Sequence, residues 1–251
     1  MTDQTADAPR IARTRHALRR RSLTVAASEK LTPHMIRLTL QGADLHDFTS
    51  TAPDDHMKLI LQGDGDSPQM RDYTPRRFSA SELVVDVVDH PGGPAADWAR
   101  DAAVGDSITI GGPRGSQRIE GDIAHWLLIG DETALPAIGR WIEELPDGAR
   151  VTSIVGVPDA TDEQTLDTAA DWQAHWLHRP LKQATDPAPY LAALDAMTVP
   201  PRTFVWVAAE AQVARAIRTH LLDNGHDKQW IKASGYWVAG QADASDKAIG
   251  D

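Results

Sequence analysis

The chain changes its periodicity once, near residues 118–122, and that change constrains the fold more than any single motif. Before it, short segments alternate apolar and polar residues at 22–27, 35–40, 56–61, 71–78, 82–90 and 106–110, with Gly- and Pro-rich breaks between them. One such break is the acidic run Gly63-Asp64-Gly65-Asp66. Six short strands with turns between them predict a small antiparallel β-barrel over residues 16–120, interrupted by one helix at about 95–101. After the change, apolar strands at 124–129, 151–157, 174–178 and 203–209 alternate with helical stretches at 137–145, 190–197 and 211–222. Strands alternating with helices predict a parallel sheet, so residues 121–240 read as an α/β domain, with 230–237 as a final strand. Residues 1–15 read as a disordered basic arm and 241–251 as a tail.

Charge and cysteine narrow the chemistry. A formal net charge of −11 argues against nucleic acid as a partner. Cysteine is absent, which removes disulfides, thiol catalysis, Cys-ligated zinc and all-Cys iron–sulfur clusters. A redox protein of this composition must use an organic cofactor or a His-held metal. His175 and His178 flank Trp176 and Leu177 in a strand, and no metal site is expected there. Arg20-Arg21-Ser22-Leu23 hints at a twin-arginine signal, but Glu29 and Lys30 interrupt the short apolar run behind it. No apolar run approaches the roughly 20 residues of a membrane span. A cytoplasmic protein, taken as a monomer, is the expectation.

Five stretches carry candidate chemistry. Arg71-Asp72-Tyr73-Thr74-Pro75-Arg76-Arg77 packs a ring, a hydroxyl and three guanidinium groups together; it reads as a ring-and-phosphate site or as a basic strand edge. In an extended strand Arg71, Tyr73 and Pro75 share one face, and Asp72, Thr74 and Arg76 the other. In His90-Pro91-Gly92-Gly93-Pro94-Ala95-Ala96-Asp97-Trp98, a helix starting near Ala95 would aim backbone N–H groups at a phosphate, or simply turn a corner. Gly111-Gly112-Pro113-Arg114-Gly115 offers turn glycines and a cation. Gly130-Asp131-Glu132-Thr133-Ala134-Leu135-Pro136 lies at the carboxyl end of the first parallel strand, where open α/β sheets bind ligands; it reads as a ligand loop or a helix start capped by Thr133. Lys232-Ala233-Ser234-Gly235-Tyr236-Trp237 brings two aromatics that could cover a planar ring or plug a core.

In order along the chain, these stretches resemble the siderophore-interacting protein family of flavin-dependent ferric reductases. Asp86-Val87-Val88-Asp89-His90 and Trp176-Leu177-His178-Arg179 extend the match, which covers roughly residues 20–240. The family belongs with the ferredoxin-reductase-like flavoproteins, so the resemblance implies an FAD-binding barrel followed by an NAD(P)H-binding α/β domain. It implies FAD and NADPH or NADH as cofactors and a ferric siderophore as substrate, reduced so that ferrous iron is released.

The resemblance also implies residue roles. Arg71, Tyr73 and Thr74 would hold the isoalloxazine and adjoining phosphate. Asp86 and His90 would touch the ribityl or adenosine side. Gly93, Pro94 and Ala95, followed by Trp98, would meet the pyrophosphate. Asp131, Glu132, Thr133 and Ala134 would face the nicotinamide, and Tyr236 or Trp237 would flank the flavin. Lys58, with Arg37 and Lys232, would attract an anionic ferric chelate. Two departures from the family pattern stand out: Ala96-Asp97-Trp98 lacks small hydroxyl residues, and Gly156 replaces an acidic residue near the dinucleotide ribose, which leaves NADPH against NADH open. The few residues after Tyr236-Trp237 favour a nicotinamide donor over ferredoxin. A general flavin or ferredoxin reductase, and a siderophore-binding protein without redox activity, remain alternatives.

Overall fold

The computed structural model describes residues 8–62, 68–247 and 249–250. The acidic run 63–66 and residues 1–7 lie outside the described residues. The chain divides into two units, Arg13–Arg118 with Gly139–Trp141, and Met1–Ala12 with Ile119–Ile138 and Ile142–Asp251.

A first strand, β1 (Arg10–Arg15), pairs with β9 (Gly115–Glu120), and Arg10 reaches Glu120 at 2.9 Å. This corrects the disordered arm, at least from Arg10 onward. A polar, arginine-rich segment has no hydrophobic period, and the partner strand lies about a hundred residues away in sequence.

Seven strands form the first unit's main sheet: β2 (Arg20–Thr32), β3 (Met35–Gln41), β4 (Met57–Leu61), β5 (Gln69–Tyr73), β6 (Arg77–Phe78), β7 (Glu82–Val88) and β8 (Ser107–Gly111). Their order is β5-β4-β8-β2-β3-β7-β6, and every pairing is antiparallel. The sequence predicts six strands because 71–78 reads as one. Pro75 cannot donate to a ladder, and the chain breaks there into β5 and β6. These two strands sit on opposite edges of the sheet although only Thr74, Pro75 and Arg76 separate them. A flat sheet of seven strands would be about 29 Å wide. Four residue steps span at most about 14 Å. The sheet must therefore curl until its edges approach, which makes it a half-barrel. Leu23, Val25, Leu38, Leu40, Leu59, Leu83, Val85 and Ile110 fill its inside. Helix α1 (Pro94–Asp101) adds Ala95 and Ala99 to that core.

The second unit carries β10 (His125–Asp131), α2 (Leu135–Glu144), β11 (Arg150–Val157), β12 (Asp171–His178), α3 (Ala188–Asp195), β13 (Thr203–Glu210), α4 (Ala211–Asp223) and β14 (Ile231–Trp237). The sheet order is β12-β11-β10-β13-β14, all parallel. All residues of β10 and β13 are buried, as expected of central strands covered on both faces. The chain order reverses between β10 and β13, the switch point where such sheets open a crevice at their carboxyl ends. The expected tail is packed instead: Asp246 pairs with Gly235, and Ile249 is 7% exposed within the core.

Candidate functional site

Tyr73 ends β5 opposite Met57, partly exposed, with its ring against the half-barrel core. Burial pushes its hydroxyl well above the ordinary phenol value, and Arg71 offsets this only in part. Thr74 beside it is buried. Arg71 lies on the same strand and donates to the Met70 carbonyl at 2.9 Å. Lys58 lies directly across from Asp72, and the two form an ion pair at 3.0 Å with Lys58 about two-fifths exposed.

Asp86 and Arg37 stand opposite each other on β7 and β3. Both Arg37 Nε and its terminal nitrogen donate to the Asp86 carboxylate at 2.7 Å. Arg76, itself buried, adds its charge at 3.8 Å. Asp86 is 2% exposed. The sequence assigns Asp86 to a cofactor and Arg37 to an anionic chelate. In the structure each neutralises the other in a forked, charge-assisted pair.

Helix α1 begins at Gly93 in extended conformation, with Pro94 in its first turn and no side-chain cap. Its first backbone N–H groups therefore have no protein side chain to receive them. His90, exposed, folds back so that a Cβ on Gly93 would lie 2.5 Å from its ring. Only glycine allows that approach. Ala95 is buried and Trp98 packs against the half-barrel core.

In the second unit, Asp131 ends β10 at 1% exposure. One of its oxygens accepts from the Thr133 N–H at 2.9 Å and from the Thr133 hydroxyl. The other accepts from the Glu210 N–H at 3.0 Å and the Trp237 indole N–H at 2.9 Å. Asp131 is thus the acceptor that ties three chain segments together. Both of its oxygens are engaged by donors of its own fold, and Thr133 is the donor in this turn rather than its cap. Ala134 is fully buried behind it. Glu210 was not anticipated: it caps α4 through Gln212 and Val213 N–H, and its other oxygen accepts from the Ala239 N–H. The signal for it is that β13 runs into α4 with no loop, so some residue there must cap.

Glu132, Arg179 and Tyr190 form a second buried group at the ends of β10–β12. Arg179 donates to Glu132 at 2.7 Å, and the Tyr190 hydroxyl donates to the Gly130 carbonyl at 3.3 Å. Burial, with Asp131 nearby, pushes the Glu132 carboxyl up to about 7 against the opposing pull of Arg179. Arg179 Nε and its second terminal nitrogen are buried without a hydrogen-bond partner. A Cβ on Gly156 would meet the Tyr190 hydroxyl at 2.1 Å and Arg179 Nε at 3.2 Å. Tyr236 packs edge-on against Trp206 with centroids 6.1 Å apart, and Lys232 sits partly buried earlier on β14. Among the described residues no group of three metal-ligating side chains occurs, and no helix is long and apolar enough to cross a membrane.

Two family models account for most of the chain. The siderophore-interacting FAD-binding domain matches residues 24–69 and 62–117, and the siderophore-interacting protein model matches residues 123–240. A NADPH-dependent ferric-chelate reductase from Escherichia coli is 33% identical over 90% of this chain and 96% of its own length. The chain belongs to the siderophore-interacting protein family. Another relative, the ferric vibriobactin reductase ViuB of Vibrio cholerae, is 30% identical over 88% of this chain and 90% of that protein. A siderophore utilization protein from T. fusca superposes with a TM-score of 0.87 at 34% identity, covering 95% of this chain and all of that one. The fold is ferredoxin-reductase-like, a half-barrel followed by a five-stranded parallel α/β unit.

Proposed function

We propose that this siderophore-interacting protein is an FAD-dependent reductase that takes electrons from NADPH and delivers them to a ferric siderophore, releasing ferrous iron. The observation that carries the proposal is one chain holding both family domains at 33% identity to an NADPH-dependent ferric-chelate reductase. The half-barrel residues fit FAD on two counts. The start of α1 leaves its N–H groups uncapped, which suits a diphosphate, and the His90 ring lies close against Gly93 there. Tyr73 offers a fixed ring for a flat partner, with Thr74 and Arg71 for the adjoining polar atoms.

When bound, FAD accepts a hydride and returns electrons singly to iron, which no side chain here could do. The protein's own groups, backbone and side chain, then have three tasks. Gly93, Pro94 and Ala95 hold the diphosphate, with Trp98 wedging α1 against the barrel. Asp131 fixes Thr133 and Trp237, so the nicotinamide meets a preset surface rather than Asp131 itself. Lys58, sharing its charge with Asp72, biases approach of an anionic chelate. Ferric iron is held by hard oxygen ligands, and the ferrous ion binds them more weakly and leaves.

NADPH is favoured over NADH. The position that would carry a ribose-binding acid is Gly156, which Tyr190 closes to any side chain. Gly156 itself then offers no carboxylate against a 2′-phosphate, and the neighbouring Glu132 is engaged by Arg179 at 2.7 Å. The test is steady-state ferrous release from a ferric siderophore with each nucleotide under anaerobic conditions. Activity with NADPH exceeding that with NADH by tenfold or more in kcat/KM supports the assignment; equal or reversed preference rejects it.

A further inference from the structure

The basic stretch Arg10–Arg21 is not used by the proposed reaction, yet it builds a concavity. A cavity of about 270 Å³ opens where β1 turns into β2 beside the end of β8, and its lining includes Arg15, His16, Arg19, Arg21, Asp47 and Gly112. In a chain of net charge −11, three guanidinium groups and an imidazole here face one carboxylate.

Arg19, Arg21 and His16 are held in place. Arg21 occupies an inward position of β2, in phase with Leu23 and Val25, and is 4% exposed. It donates to the Asp44 carbonyl at 2.9 Å, the Gly112 carbonyl at 3.1 Å and the Asp47 carboxylate at 2.9 Å. Arg19 also pairs with Asp47. The Arg21 hydrogen bond, with both guanidinium charges, holds the Asp47 carboxyl below its ordinary value. His16 is fixed through Nε2, which lies 2.7 Å from the Ser116 hydroxyl. That hydroxyl donates to Asp55 and accepts from the Thr51 N–H, so Nε2 of His16 is the donor and Nδ1 is left over. The Arg15 side chain has no hydrogen bond or ion pair among the described residues. With Asp47 serving both Arg19 and Arg21, the cavity keeps an excess of two positive charges.

We propose that this cavity is a second small-molecule site, binding a compact oxyanion of multiple charge, either a phosphate compound or a polycarboxylate. A preset, partly desolvated cluster of arginines is the arrangement that recognises such groups. The volume equals about nine waters, which suits a molecule of pyrophosphate or citrate size. It is separate from the FAD diphosphate seat proposed above: Arg20 faces Gly111 at one end of β2, whereas β7, which leads into α1, meets β3 at Met35 beside the other end of β2, Thr32. The bound anion would pin the β1–β2 connection to the sheet.

The test is isothermal titration of the full-length, FAD-loaded protein with pyrophosphate and, in a second arm, citrate, at ionic strength held constant with sodium chloride. Saturable 1:1 binding of either probe is expected, and the responding probe tells the phosphate class from the carboxylate class. Arg15→Ala with Arg19→Ala should weaken binding by about tenfold or more with flavin content unchanged. Arg15→Gln alone, at an exposed and unpartnered side chain, should weaken it less and leaves the fold intact. No saturable binding of either probe, equal affinity in these variants, or release of FAD as the anion binds would each overturn the proposal.

Discussion

Buried acids on the strands of the two main sheets satisfy their charge in opposite ways. In the half-barrel, Asp86 is met by arginine side chains from neighbouring strands, Arg37 at 2.7 Å and Arg76 at 3.8 Å. In the α/β unit, Asp131 and Glu210 are met by backbone N–H groups, a hydroxyl and an indole. An antiparallel ladder uses its own N–H groups between strands, so a buried acid on it needs a side-chain cation. A parallel sheet ending in helix starts leaves N–H groups free at its carboxyl end, and acids there collect them. The difference teaches that an acid in a motif is a scaffold whenever donors from its own fold reach it first.

The largest effect that could break this comparison is in the half-barrel. Asp86→Ala leaves Arg37 and Arg76 buried without their anion and should cost about 3–5 kcal/mol in urea unfolding. A loss under 1 kcal/mol would mean that the ion pair is not what holds those charges. Next comes Asp131→Ala, which strands the Glu210 N–H and the Trp237 indole and should cost about 2–4 kcal/mol. If Asp131 positions rather than binds, Asp131→Asn should retain more kcat than Asp131→Ala, and both should raise the KM for NADPH. A wild-type KM in Asp131→Ala would separate this acid from the nicotinamide surface.

A pH effect sharpens an exception, Glu132, an acid in the α/β unit that faces an arginine. Its carboxyl is raised from 4.5 to about 7 by burial. Between those values the unfolded chain has lost this proton and the folded chain keeps it. Stability contributed by this group is therefore full below about pH 4.5 and falls as pH rises to about 7, by at most about 1.4 kcal/mol per pH unit. Glu132→Gln should flatten that decline in urea midpoints measured from pH 5 to 7; an unchanged slope would assign it to other groups.

Much of the architecture was legible because it rests on local periodicity. The strands at 35–40, 82–90 and 203–209 and the helix at 211–222 each show their own repeat, and the switch near residue 120 separates two fold classes. What was hidden depends on distant partners. Arg37 and Asp86 are 49 residues apart, and nothing local says that they meet. The break at Pro75 was visible as a proline, but not that it carries the chain from one sheet edge to the other. Ile249 is one large apolar residue in a tail otherwise of small and polar ones, which no window registers. In the candidate site, Gly93-Pro94-Ala95 stand at the helix start that the motif reading expected, whereas Tyr73-Thr74 stand at a strand end that it ran through. Asp131 and Thr133 exchanged roles because donor and acceptor are decided by which N–H groups β13 and β14 bring across the sheet.

One measurement bears most directly on the account: the visible absorption of the purified full-length protein after mixing with FAD and desalting, followed through an anaerobic NADPH titration. The account predicts a retained oxidised-flavin band that bleaches with about one equivalent of NADPH and returns when a ferric siderophore is added. A colourless protein, or a band that NADPH leaves unchanged, would contradict it.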